Sequence, residues 1–184
     1  MVSQIATGAA IVVLLVCVVA FSVQSYQHFD PAATSRGNTM IRVLTVGMTL
    51  CLVCVSVFTW PASVFQAGVS GGLGCASLIL FSRSIRATDS GVLHVAFTGA
   101  GPDRLITSGV YGRIRNPLYT SYLLYWAGWM PLTGFHLLSV AGFGVFCVVY
   151  VMAARSEETY LSETFGQRYA EFCASTGRFL PKLR

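Results

Sequence analysis

The stretch Leu118–Ala154 reads LYTSYLLYWAGWMPLTGFHLLSVAGFGVFCVVYVMAA and contains no Asp, Glu, Lys or Arg. Two apolar arms, Leu118–Leu132 and Phe135–Ala154, flank Thr133 and Gly134. A helix needs about 20 residues to cross the hydrocarbon of a bilayer. The second arm has that length. The first is shorter and rich in Tyr and Trp. Pro131, Thr133 and Gly134 carry turn chemistry, so the stretch predicts a helical hairpin in a membrane.

Working outward, three further apolar runs precede it: Ile5–Val23, Thr39–Trp60 (with Arg42 near its start) and Val64–Phe81. The whole chain is 54% apolar and only 10% charged. Soluble domains carry about a quarter charged residues, so the bilayer is the better solvent for this surface. The expected fold is an all-α integral membrane protein with five transmembrane helices, a C-terminal helical hairpin and a cytoplasmic amphipathic segment. The first run lacks a basic flank and a small-residue cleavage pattern, which favours a retained helix over a leader peptide.

The twelve Lys and Arg residues fall in alternate connections. Arg36 and Arg42 sit around the first loop, and Arg83, Arg86, Arg104, Arg113 and Arg115 lie between the third and fourth runs. Arg155, Arg168, Arg178, Lys182 and Arg184 follow the fifth. Five spans then satisfy the positive-inside rule, with the N-terminus outside and the C-terminus cytoplasmic. The net charge of +5 fits anchoring to anionic headgroups. No basic stripe or stacking platform calls for nucleic acid. Residues 1–184 read as a single membrane domain, with a three-helix part over 1–81 and a cofactor-binding part over 82–184.

Cys17, Cys51, Cys54, Cys75 and Cys147 lie in apolar runs and read as small buried hydrophobes. The Cys51–Cys54 pair is not placed for redox or metal chemistry, and no metal is expected. Gly68, Gly72, Gly142 and Gly144 suit close helix packing. Gly71, Gly72 and Gly74 follow no strand and make no phosphate loop. His28, His94 and His136 read as solvated or interfacial side chains.

The chemistry-bearing stretch runs from Asp103 to Pro181. It includes Asp103-Arg104-Leu105-Ile106, Gly109-Val110-Tyr111, Arg115-Asn116-Pro117-Leu118-Tyr119, Glu157-Glu158, Phe165-Gly166-Gln167-Arg168-Tyr169 and Thr176-Gly177-Arg178-Phe179. Pro117 suits the first turn of a helix and marks where a polar loop meets the membrane. Glu157 and Glu158 leave the last span on the same side, and acids there are costly unless paired or solvated. The hairpin returns them towards Arg115. Such a pocket suits a zwitterionic, amphipathic ligand, with carboxylate for an amino group, Arg or Asn for a carboxylate and tyrosine faces for a sulfonium. A juxtamembrane salt bridge with interfacial aromatics is the plain alternative.

These motifs resemble the isoprenylcysteine carboxyl methyltransferase family and its phospholipid methyltransferase relatives. The family pattern is H-x-L-V, G-x-Y, R-H-P-x-Y, then E-E before F-G-x-x-Y. The resemblance covers about 80 residues; the first three runs match only as generic helices. It implies S-adenosylmethionine as cofactor, held by Asp103, Arg104, Leu105, Ile106, Tyr111, Asn116, Pro117, Leu118, Tyr119 and Glu157. Candidates nearer the chemistry are Arg115, Asn116 and Arg155. The sequence departs from the family at Asp103 and Asn116, where histidines stand, and at Ala153, where an arginine stands. An amide cannot titrate near neutrality as imidazole can.

Leu161, Phe165, Tyr169 and Phe172 recur at helical spacing, which predicts an amphipathic helix beneath the bundle. The implied reaction is methyl transfer to a lipophilic small molecule or lipid drawn from the bilayer. Two other functions suit the same residues: an NADPH-dependent membrane reductase of the sterol-reductase type, and a non-catalytic membrane scaffold.

Overall fold

The computed structural model describes residues 1–28, 36–88 and 105–182. Among them every regular element is helical: α1 Val2–His28, α2 Arg36–Phe58, α3 Val64–Thr88, a single 3₁₀ turn Gly109–Gly112, α4 Pro117–Leu132, α5 Leu137–Phe165 and α6 Gln167–Ser175. Ranges within α1, α2, α3 and α5 are long and apolar enough to cross a membrane: Val2–Val23, Ile41–Phe58, Val64–Thr88 and Leu137–Phe165. The protein is therefore a multi-pass, all-helical membrane protein.

The start of α3 is set by a reciprocal cap. The Gln66 backbone N–H donates to Ser63 Oγ at 3.2 Å, and the Ser63 N–H donates to Gln66 Oε1 at 3.0 Å. Each satisfies a donor that the first helical turn leaves free. α1 and α3 then run in the same direction. Cys17 Sγ donates to the Gly74 carbonyl at 3.5 Å, and the Phe21 and Phe81 rings meet edge-on at 4.7 Å. A Cβ at Gly74 would lie 2.7 Å from Val13 Cγ1, so the absent side chain is what lets α1 approach.

α4 lies at the centre. Tyr125, Trp126, Trp129 and Leu132 are all essentially buried, as expected of a helix that is apolar on every side. Ser77 on α3 donates to the Ser121 carbonyl at 2.7 Å. Thr49 on α2 and Tyr125 share a hydrogen bond of 2.7 Å. α5 returns antiparallel to α4, with Thr133 donating to Ser139 at one end, Trp126 stacked on Phe146 at 3.9 Å, and Asn116 donating to Glu158 at the other end. This is the hairpin that the sequence predicts. α4 has 16 residues, about 24 Å at the helical rise, against a hydrocarbon core of about 30 Å.

Four expectations need correction. Pro131 lies inside the last turn of α4, and the turn is made by Thr133, Gly134 and Phe135, the latter two at φ +62° and +59°. The amphipathic spacing spans two helices: α5 runs on past its apolar part to Phe165, Gly166 turns the chain at φ +51°, and α6 begins at Gln167. A left-handed φ is cheap for glycine and ends a helix. Gly68, Gly72 and Gly144 face open space, whereas Gly142 packs on Met48. Cys51, Cys54 and Cys75 are exposed, as residues facing lipid would be; Cys17 alone of the six is buried. His136 caps α5, its Nδ1 accepting from the Leu138 N–H at 3.2 Å.

Candidate functional site

The apolar part of α5 ends at Ala154, and Arg155 begins a charged extension. Glu157 and Glu158 lie on that extension, past the apolar part of the helix, facing the start of α4. Asn116 and Pro117 are buried there, and Pro117 occupies the first turn of α4.

Glu158 is surrounded by donors. Arg178 reaches it through Nε at 3.1 and 3.0 Å and through NH2 at 2.7 Å. Arg115 Nε donates at 3.3 Å and Asn116 Nδ2 at 2.9 Å. Burial raises the Glu158 pKa, but the hydrogen bonds from Arg178 and Asn116 and the charges of Arg115 and Arg178 outweigh it and hold it below the usual carboxylate value. Arg115 Nη1 donates to the carbonyls of Thr176 at 2.6 Å and Cys173 at 3.3 Å.

The chain after α6 forms a strap along the same place. The Arg115 N–H donates to the Gly177 carbonyl at 2.8 Å, the Asn116 N–H to Arg178 at 3.1 Å, and the Gly177 N–H to Arg113 at 3.1 Å. Ile114 and Gly177 make a parallel bridge. Thr120 Oγ1 donates to the Phe179 carbonyl at 2.9 Å.

Glu157 has a different setting. Among the described residues it makes no ion pair. Tyr111 and Tyr119 lie within electrostatic reach of its carboxyl. The Tyr119 hydroxyl is close to that carboxyl but makes no well-formed hydrogen bond with it, and it is buried without any other partner. Burial pushes the Glu157 pKa up to about 7; the Tyr119 hydroxyl opposes the rise and the Glu158 charge adds to it. Burial and then the Glu157 charge also raise the Tyr111 pKa.

Leu105 and Ile106 are half-buried ahead of the 3₁₀ turn, and Leu118 is half-buried on α4. Asp103 and Arg104 lie outside the described residues. Ala153 packs against the core, while Arg155 is exposed and stands apart from the cluster. An open groove of about 290 Å³ borders the strap, between Thr107, Gly112, the α6 residues Arg168, Glu171 and Phe172, and Thr176. No group of His, Cys, Asp and Glu among the described residues could hold a metal.

A family model described as phospholipid methyltransferase matches residues 69–168, 100 of the chain's 184. The chain belongs to the phospholipid methyltransferase family. A search of curated proteins finds no match. The family region opens within α3, earlier than the motifs alone suggest, and α3 is the helix that packs most extensively on α4. It ends within α6, before the strap. Membership makes the chain a membrane methyltransferase by family.

The sequence brings both glutamates towards Arg115 without assigning Glu158 to the cofactor, and the Arg115–Glu158 ion pair meets that expectation. Arg178 has no assigned role there; its signal is the polar Thr176-Gly177-Arg178-Phe179 segment just beyond an amphipathic helix, where only folding shows its partner.

Proposed function

We propose that the protein transfers a methyl group from S-adenosylmethionine to a lipophilic acceptor at the cytoplasmic face of a membrane. The observation that carries this reading is the Glu157 carboxyl, which has no cation among the described residues, beside the buried Tyr119 hydroxyl. A carboxyl with no cation among the described residues, beside a buried hydroxyl that makes no well-formed hydrogen bond there, leaves polar groups that a ligand can satisfy. A cationic amino-acid group fits them: its ammonium would ion-pair with Glu157, and Tyr119 and Tyr111 would complete the wall.

When bound, the cofactor supplies the methyl carbon, and its sulfur keeps the electron pair of the broken carbon–sulfur bond. The protein's part is alignment and exclusion of water, which convert a bimolecular transfer into one between held reactants. Tyr119 is carried by α4, and Glu157 by the helical extension of α5. The aromatic wall of Tyr119, Tyr122 and Tyr150 continues into the bundle, which gives an acceptor with an acyl or prenyl chain an apolar surface beside the site.

Five crossings, with the N-terminus outside, follow from the charge distribution. They are supported by the way α4 runs beside α5 from Ser139 to Glu158. The test is equilibrium binding to the purified full chain in nanodiscs. S-adenosylhomocysteine should bind and NADPH should not, and labelled S-adenosylmethionine should pass its methyl to membrane lipid extract. NADPH binding alone would favour a reductase. Binding of neither ligand would favour a scaffold.

A further inference from the structure

We propose that Glu158 is a positioning residue: with Arg178 it fastens the strap Thr176–Phe179 over the start of α4, and so holds Asn116–Tyr119 in register with Glu157. The functional consequence rests on the methyl-transfer reading above; the fastening itself stands on geometry.

Three parts of the chain meet on the Glu158 carboxylate. Arg178 comes from the strap, Arg115 from the loop before α4, and Asn116 from the residue that precedes the helix. Charge-assisted hydrogen bonds of this kind are short and strong, and a two-nitrogen arginine contact also fixes orientation. The backbone pairing of the strap amounts to three hydrogen bonds. A ladder that short is marginal alone, so the carboxylate supplies what the backbone does not.

Asn116 gives the sharper sign. It stands at the N-cap of α4, where asparagine ordinarily accepts from a free helical N–H, yet its side chain makes no capping bond. Its amide nitrogen instead donates to Glu158 at 2.9 Å and to the Arg178 carbonyl at 3.4 Å. The amide nitrogen thus links α5, through Glu158, to the strap. Tyr119 follows Asn116 by three residues, so it shares that face of the helix. Whatever sets the first turn of α4 sets the Tyr119 hydroxyl against Glu157.

The test compares the full chain with Glu158→Gln, Arg178→Gln and the double variant, in nanodiscs. Amide exchange at Arg115, Asn116 and Gly177 reads the strap, S-adenosylhomocysteine titration reads the site, and unliganded melting reads the fold. Each single variant should speed exchange at those amides and weaken binding roughly tenfold or more, with melting little changed. The double variant should be no worse than either single one, since both remove one unit. Arg178→Lys should fall between, keeping charge without the paired nitrogens.

Unchanged exchange in Glu158→Gln would overturn the fastening. An opened strap with unchanged affinity would overturn the positioning role, as would collapse of unliganded melting. If the wild type bound no S-adenosylhomocysteine, the methyl-transfer reading would fall and the positioning role with it, while exchange would still report whether the strap is fastened.

Discussion

Glu157 and Glu158 are neighbours in sequence and opposites in surroundings. Glu158 accepts from two arginines and an amide, and its charge is fully used within the fold. Glu157 faces two tyrosines and has no cation among the described residues. Their pKa shifts run in opposite directions for that reason, down at Glu158 and up to about 7 at Glu157. Adjacent carboxylates pushed apart by their environments commonly have different tasks. Here one side of the helix end is closed by the protein, and on the proposed reading the other receives the ligand.

The contrast breaks first at Glu157. Glu157→Gln should weaken S-adenosylhomocysteine binding by about 1.5–3 kcal/mol, the scale of a hydrogen bond to a charged group. Unliganded melting should stay the same or rise, because a half-buried acid with no cation among the described residues is removed. Calorimetric titration and a detergent melt measure the two. Equal affinity in both proteins would take Glu157 out of the site.

The next effect is expected on the closed side. A Cβ at Gly177 would collide with the Leu180 carbonyl oxygen, a backbone atom with little room to yield. Gly177→Ala should destabilise the strap by roughly 1–3 kcal/mol, as overpacking does. Faster amide exchange at Arg115 and Asn116 should report it, without loss of the α1–α3 packing. Protection equal to wild type would show that the strap is not held as described.

The smallest effect belongs to Arg155, which is exposed beside both acids in sequence but joins neither cluster. Arg155→Ala should change affinity and melting by no more than about 0.5 kcal/mol. A larger loss of methyl transfer would bring Arg155 back as a group that meets the acceptor.

Much of the architecture was legible from charge and apolar runs. The hairpin could be read because Leu118–Ala154 has no charge and one turn signal. The length of α5 could not, because its amphipathic repeat runs through Gly166 without a change of period; only the positive φ there separates α5 from α6. Glycine contacts were misassigned because sequence spacing does not say which face of a helix meets a partner. Gly74 meets α1 and Gly68 meets nothing. In the site, the glutamate pair and Tyr119 stood out by motif. The division of labour between Glu157 and Glu158 did not, since it depends on Arg178, a residue 20 positions away that the strap brings back.

The most direct measurement is the pH dependence of S-adenosylhomocysteine affinity, taken on wild type and Glu157→Gln from about pH 5.5 to 8.5. A raised carboxyl pKa means that below about 7 the acid is protonated, and a cationic ligand must displace that proton to bind. Wild-type affinity relative to the variant should therefore fall as pH drops through about 7, approaching tenfold per unit. It should level off above that value. The ligand's own amino titration is common to both proteins and cancels in the ratio. A ratio that stays flat across the range would contradict the assignment of Glu157 as the carboxylate that receives the cofactor.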